Sequence, residues 1–121
     1  MQAIELMLGD WVFYPKTQEY CKVTTIHNKY LYCFPKGSDE KHSYGLREES
    51  VSPIPLTVEI LEKNGFNETF WGGEWTNDNI DFILIEHNDG FRMIDTNIVL
   101  SGVHHFQHAL RLCNIKKDIE L

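Results

Sequence analysis

A pair of prolines, Pro53 and Pro55, divides the chain into two parts with different folding signals. The residue before a proline is driven out of the α region, so the stretch around the pair is predicted to be an extended connector. The part before the pair is rich in strand signals, and the part after it opens with a helix signal. Because 121 residues suit one compact core, we predict a single domain over 1–121 with subdomains at 1–55 and 56–121.

The first part contains runs of aromatic and β-branched side chains, which favour strands. These runs are 11–14, 21–26 and 30–34, and a fourth strand is expected within 42–51. Asn28 lies between the second and third runs and tolerates the positive φ that a tight reversal often requires. The pattern predicts an SH3-like small β-barrel or a curled meander.

A short helix is the clearest local signal in the second part. Thr57 is the predicted N-cap, because its hydroxyl can accept a hydrogen bond from the first turn. Gly65 can adopt the left-handed conformation that ends a helix, which returns Phe66 over Leu61. The sequence therefore predicts one helix between Thr57 and Gly65.

Strand signals return after this helix, at 68–71, 80–86 and 91–100. The sequence Asn88-Asp89-Gly90 predicts a hairpin between the last two runs. The run 80–86 is almost continuously apolar, which is typical of a strand covered on both faces. An antiparallel sheet is therefore expected in this half.

A second helix is predicted from about 103 to 113, with Ser101 as its N-cap. His104 and His108 are predicted to point away from the sheet. Leu112 falls on the same side near His105 and His108, which makes this side a candidate second contact surface. The fold class is α+β, with the barrel or meander followed by a short helix, an antiparallel sheet and a C-terminal helix packed on it. At 100° per residue, the apolar stripe that faces the sheet comprises Val103, Phe106, Ala109, Leu110 and Cys113.

Charge argues against two classes of partner. The net charge is −7, and residues 57–121 hold 5 lysines and arginines against 11 acidic residues. A negative surface repels phosphate backbones and anionic lipid, which disfavours nucleic acid and membranes as partners. No apolar run approaches the roughly 20 residues of a spanning helix, and the start lacks a signal-peptide pattern. The chain is predicted to be cytoplasmic.

Histidines on the second helix form the pattern closest to a metal site. His104 and His108 are one turn apart and can hold a zinc ion from one helix face, with His105 beside them. The helix lacks the glutamate that a hydrolytic zinc helix places beside its first histidine. Exposed or interface histidines are therefore favoured, and no metal or other cofactor is predicted. The acidic and histidine residues considered as a third ligand are Asp78, Asp81, Glu86 and His87.

The three cysteines, Cys21, Cys33 and Cys113, show no Cys-x-x-Cys spacing. They are predicted to be reduced thiols buried in the core, since Cys21 and Cys33 lie in strand runs and Cys113 lies on the apolar stripe. A nucleophilic role would require an electropositive, partly exposed environment. No catalytic residue is therefore predicted.

The segment Trp71-Gly72-Gly73-Glu74-Trp75 is the most distinctive binding signal. Two indoles on either side of a flexible turn can form an exposed clamp for a peptide, a sugar or a base. The alternative is that Trp71 and Trp75 fold back onto the core, because tryptophan is highly buried on average. Both interpretations stay open at the sequence level.

Three segments resemble, in the same order, blocks of an uncharacterised family of small proteins found in gut Bacteroidetes and their phages or mobile elements. The segments are ELMLGDWV at 5–12, PIPLTVEILEKNGF at 53–66 and HFQHALRLCNI at 105–115. The chain departs from the family pattern at Val58, where proline is usual, and at Asn114, where glycine is usual. The resemblance implies no catalytic or binding residue.

The favoured function is that of a small accessory protein that binds an unidentified protein partner. One alternative is a metal-dependent small enzyme that uses the helix carrying His104, His105 and His108. The other is an acidic mimic of nucleic acid from a phage or mobile element, which the charge of 57–121 suggests. The oligomeric state is left open.

Overall fold

The computed structural model describes residues 1–121, apart from the side chain of Glu40. Contacts divide the chain into two compact units, Met1–Ile54 and Pro55–Leu121. Each unit contains one antiparallel sheet, and both α-helices belong to the second. The α+β class is confirmed, and the grouping of the two units as subdomains of one domain stays a prediction. Within the described residues, no helix is both long and apolar enough to cross a membrane.

The first unit is a four-stranded antiparallel meander in sequence order. The reversal at Asn28 is confirmed, with a φ of 54°. The predicted fourth strand is shorter than the range 42–51 that contains it. The strands are β1 (Trp11–Tyr14), β2 (Glu19–His27), β3 (Tyr30–Pro35) and β4 (Tyr44–Arg47).

The outer edge of β1 is met at one point by the returning chain. Phe13 N–H donates to the Ser52 carbonyl at 2.8 Å, and Ser52 N–H donates to the Phe13 carbonyl at 2.9 Å. Among the described residues this single bridge does not close a barrel. The structure therefore shows a meander, and the SH3-like form stays a prediction.

Alternation along β2 and β3 gives the meander one buried face. Cys21, Val23, Leu31 and Cys33 point to that face and are fully buried. Tyr32 lies on the opposite face and is about half exposed. Burial of Cys21 and Cys33 confirms the prediction for these thiols.

The second unit combines two helices with a five-stranded antiparallel sheet, in the strand order β5-β6-β7-β8-β9. The short helix comes first and the long helix comes after the last strand. The elements are α1 (Val58–Lys63), β5 (Asn67–Glu68), β6 (Glu74–Asn77), β7 (Ile80–His87), β8 (Gly90–Met93), β9 (Val99–Leu100) and α2 (Val103–Leu112).

Both ends of α1 are formed as predicted. Thr57 Oγ1 accepts a hydrogen bond from Ile60 N–H at 3.3 Å, which confirms the N-cap. Gly65 adopts a φ of 87°, and Phe66 N–H donates to the Leu61 carbonyl at 3.0 Å. This bond satisfies a carbonyl that the helix end leaves open and returns the chain to the core.

The strands of this sheet are shorter than the sequence predicts. The run 91–100 is two strands, because the chain turns between them at Asp95 with a φ of 60°. Of the run 68–71, only Glu68 belongs to a strand, which is β5. The sequence does not predict β6, because Trp75 is the single apolar residue of that strand. The strand β7 is predicted to be covered on both faces. One face is buried, but the other is only partly covered, since Ile83 and Ile85 are half-buried.

Gly90 closes the hairpin between β7 and β8. The hairpin is confirmed, but the positive φ falls on Gly90 (137°) rather than on the two turn residues before it. A Cβ atom at this position would collide with the Leu100 carbonyl and lie 2.8 Å from Ser101 Cα. Glycine is therefore required here both by its φ and by the approach of the β9 end.

Three phenylalanines hold α2 on the sheet. Phe66 follows α1, Phe82 lies in β7 and Phe106 lies in α2. The ring centroids of Phe66 and Phe106 are 5.6 Å apart, and those of Phe82 and Phe106 are 6.5 Å apart, both edge to face. Such pairs add to the free energy gained by burying the rings. The cluster therefore fixes which side of α2 faces inward.

Three predictions about α2 are wrong. Its N-cap is Gly102 rather than Ser101, because the Ser101 hydroxyl bonds to the His105 ring at 3.2 Å and the Ser101 carbonyl accepts Leu56 N–H at 3.0 Å. His104, predicted on the uncovered side, is buried, because the covered face of α2 is wider than its apolar stripe. Cys113 is exposed, because α2 ends before it.

Asn64 ties the C-terminal tail to α1. Its side chain donates to the Ile60 carbonyl at 2.7 Å and to the Glu120 carbonyl at 2.9 Å. Its Oδ1 accepts Glu120 N–H at 2.9 Å. The tail at 116–121 forms no strand, but Ile119 and Leu121 are buried, so it is held against the second unit.

Replacing Asn64 with alanine is expected to lower the free energy of unfolding by about 1–3 kcal/mol, because the partly buried N–H and carbonyl of Glu120 lose the side chain that ties the tail to α1. Chemical denaturation measures this loss. The control is Asn67→Ala, which removes an exposed amide and should change stability by less than about 0.5 kcal/mol. Equal losses in the two variants would contradict the role assigned to Asn64.

Candidate functional site

An apolar groove lies between α2 and the β8–β9 edge of the sheet in the second unit. Its volume is about 330 Å³. The turn after β8 and the strand β9 form one wall, and the side of α2 that does not carry Phe106 forms the other. The lining residues are Met93, Ile98, Val99, Leu100, His105, His108, Ala109, Leu112 and Cys113.

Two aliphatic side chains of the groove are open to solvent. Leu112 is 85% exposed and Ile98 is 51% exposed. Large apolar side chains that line a concave surface and remain exposed are typical of interaction sites. The groove brings together three residues predicted to share a contact surface, which are His105, His108 and Leu112.

His105 caps α2 as well as lining the groove. Its Nδ1 accepts a hydrogen bond from Gly102 N–H at 3.3 Å and lies 3.2 Å from the Ser101 hydroxyl. A backbone N–H can only donate, so Nδ1 acts as the acceptor and the ring proton sits on Nε2. The helix start therefore fixes the orientation of this ring in the groove wall.

The histidines of α2 contact one another without forming a complete metal site. The His104 ring centroid lies 4.0 Å from that of His105 and 5.8 Å from that of His108. Among the described side chains, no group of three histidine, cysteine, aspartate or glutamate residues is placed to hold a metal ion. A structural zinc site uses four ligands and a catalytic one three. Among these described side chains, none is placed as a third ligand beside His104 and His108.

The two indoles of the predicted clamp are separated by burial. Trp71 is 84% exposed, whereas Trp75 is 4% exposed and its Nε1 donates to Glu86 Oε1 at 3.4 Å. The indoles therefore do not form a clamp across the glycine turn. Trp71 instead pairs with Phe70, a residue that the sequence interpretation omits.

The cysteines differ in access. Cys113 is exposed and lines the groove, whereas Cys21 and Cys33 are buried in the first unit. A hydrogen bond with the Cys33 thiol, together with burial, raises the pKa of Cys21 well above its usual range. Because the thiolate is the reactive form, Cys21 is expected to be inert in the folded protein.

Alkylation of the native protein by iodoacetamide is expected to modify Cys113 alone, and all three cysteines after unfolding. Mass spectrometry of proteolytic fragments identifies the modified residue. Cys113→Ser serves as the control and should leave no rapidly labelled thiol. Rapid labelling of Cys21 or Cys33 in the native protein would show that the first unit does not bury them.

Comparisons with protein-family models, curated proteins and solved structures gave no match. The groove residues that the sequence interpretation missed include Met93, which ends β8, and Ile98, which lies in the turn before β9. A signal for this break exists, because Asp95, Thr96 and Asn97 interrupt the apolar residues of the run 91–100 and aspartate and asparagine favour turns. The site is therefore defined by its own geometry and chemistry.

Proposed function

We propose that the protein acts as a small accessory protein that binds another protein through the groove beside α2. The observation that carries this proposal is the exposure of Leu112 and Ile98 on the walls of an apolar groove. Exposed aliphatic side chains that lie together in one concave surface are typical of sites that a partner covers. The proposal places the protein in the cytoplasm of a Bacteroidetes cell, where the cell itself or its phages or mobile elements would encode it.

The size of the groove supports a protein partner. At about 330 Å³, it is close to the lower limit of about 300 Å³ for small-molecule pockets. A few aliphatic side chains from a partner would fill it. Covering Leu112 fully would contribute about 1.5–3 kcal/mol, which is the size of effect expected at the centre of an interface.

The polar groups of the groove support recognition better than catalysis. Nδ1 of His105 is committed to the start of α2, and the lining apart from the two histidines consists of aliphatic side chains, Met93 and Cys113. This lining favours contact with apolar side chains of a partner protein over the roles of a small enzyme or a mimic of nucleic acid.

Leu112→Ser should abolish capture of a specific partner from the cells that naturally produce the protein. The serine removes an exposed apolar side chain, so stability should change by less than about 0.5 kcal/mol. The matched control is Ile4→Ser, since Ile4 is an equally exposed aliphatic residue of the first unit. Quantitative mass spectrometry of cross-linked complexes compares the variants.

The proposal requires a protein that is captured by the wild type and by Ile4→Ser and is lost with Leu112→Ser. A photo-activated cross-linker placed at Ile98 should reach the same protein. If the same proteins are captured by all variants, the groove is not the binding surface. If the cross-linker at Ile98 labels no protein, a protein partner at this site is excluded.

A further inference from the structure

The most exposed aromatic residues of the chain lie at the turn between β5 and β6. Phe70 is 95% exposed and Trp71 is 84% exposed. Their ring centroids are 5.5 Å apart and the planes meet at 83°, so the rings form an edge-to-face pair. Tryptophan and phenylalanine in full contact with water are rare in a folded chain and are favoured at interfaces.

The turn holds this pair outward by its own hydrogen bonds. Gly72 and Gly73 have φ values of 77° and 72°, which side chains other than glycine rarely adopt. Gly73 N–H donates to the Glu68 carboxylate at 3.0 Å, and Gly72 N–H donates to the Thr69 carbonyl at 3.0 Å. The exposure of both rings is therefore built into the turn.

Charge is separated along the strands of this sheet. At the end that carries the aromatic pair, the segments 68–74 and 86–90 contain no lysine or arginine. The two segments are joined by a hydrogen bond of 2.9 Å from Glu86 N–H to the Gly73 carbonyl. The acidic residues of these segments are Glu68, Glu74, Glu86 and Asp89.

Three basic residues lie at the opposite end, whereas Arg92 lies in β8 opposite Ile85 and its Nη1 donates to the Thr96 carbonyl at 2.9 Å. A polar cleft of about 530 Å³ beside the β6–β7 turn is lined by Lys63, Lys116 and Lys117. These are three of the five lysines and arginines in residues 57–121. The aromatic pair is thus left in the negative field of its own end of the sheet.

We propose that Phe70, Trp71 and the carboxylates of 68–74 and 86–90 form an aromatic-acidic end that binds an arginine-rich segment of a partner protein. A guanidinium stacks on an indole face and is also attracted by the ring quadrupole. The nearby carboxylates attract further positive charge and satisfy guanidinium N–H groups. Neither an anionic ligand nor a purely apolar segment would match both features.

This surface is independent of the α2 groove. The aromatic pair lies at the β5 edge of the five-stranded sheet, whereas the groove lies at the β9 edge. The inference holds whether or not a protein occupies the groove. Substitutions in the groove therefore serve as controls for it.

Titration with a synthetic peptide of alternating arginine and glycine tests the proposal. Binding is followed by NMR through the indole N–H signal of Trp71, which Trp71→Phe assigns among the three tryptophans. Trp71→Ala should weaken binding of the peptide about two- to fivefold, since a cation on an exposed ring contributes on that order. Leu112→Ser should leave the affinity unchanged, and a lysine-glycine peptide should bind more weakly than the arginine peptide.

Several results would overturn the proposal. No shift of the Trp71 signal with the arginine peptide would exclude it. Equal affinity in the wild type and Trp71→Ala would show that the peptide binds only through general attraction to a negative protein. Equal affinity for the lysine peptide would show that stacking of arginine does not contribute. A Trp71 signal that moves with protein concentration alone would assign the surface to a second copy of the chain. Unchanged backbone spectra in Trp71→Ala verify that this variant is folded.

Discussion

The contact of Phe106 with Phe66 and Phe82 is the constraint on which the second unit depends. It joins the end of α1, the central strand β7 and the helix α2 through buried rings. A helix fixed at one side by a large buried ring cannot rotate without creating a cavity. The opposite side of α2 therefore keeps one orientation, and Leu112 stays on the groove wall.

The sequence predicts elements best where a local interaction decides them. The N-cap hydroxyl of Thr57, the left-handed Gly65 and the reversal at Asn28 depend on few neighbours, and each is confirmed. Ser101 has an equally good capping side chain, but a ring nitrogen of His105 competes for it. Tertiary contacts also decide the bond between Asn64 and the distant Glu120, which no local pattern reveals.

The candidate site follows the same division. Helical periodicity brings His105, His108 and Leu112 together from sequence alone, because all three lie on one element. Their opposite wall depends on the break between β8 and β9. The polar residues Asp95, Thr96 and Asn97 mark this break, although the run 91–100 is predicted as one continuous strand. At the other edge, Trp71 is identified from its glycine neighbours, whereas the burial of Trp75 depends on the pairing of β6 with β7.

The orientation of α2 is tested most directly by NMR of the methyl groups in the presence of a soluble gadolinium chelate, which broadens signals in proportion to their access to solvent. The structure predicts strong broadening for the methyl groups of Leu112 and Ile98, and protection for those of Leu110 and Leu100. Phe106→Leu should reduce this contrast, because the helix loses its aromatic anchor. Broadening of Leu110 equal to that of Leu112 in the wild type would contradict the orientation of α2 and the groove that depends on it.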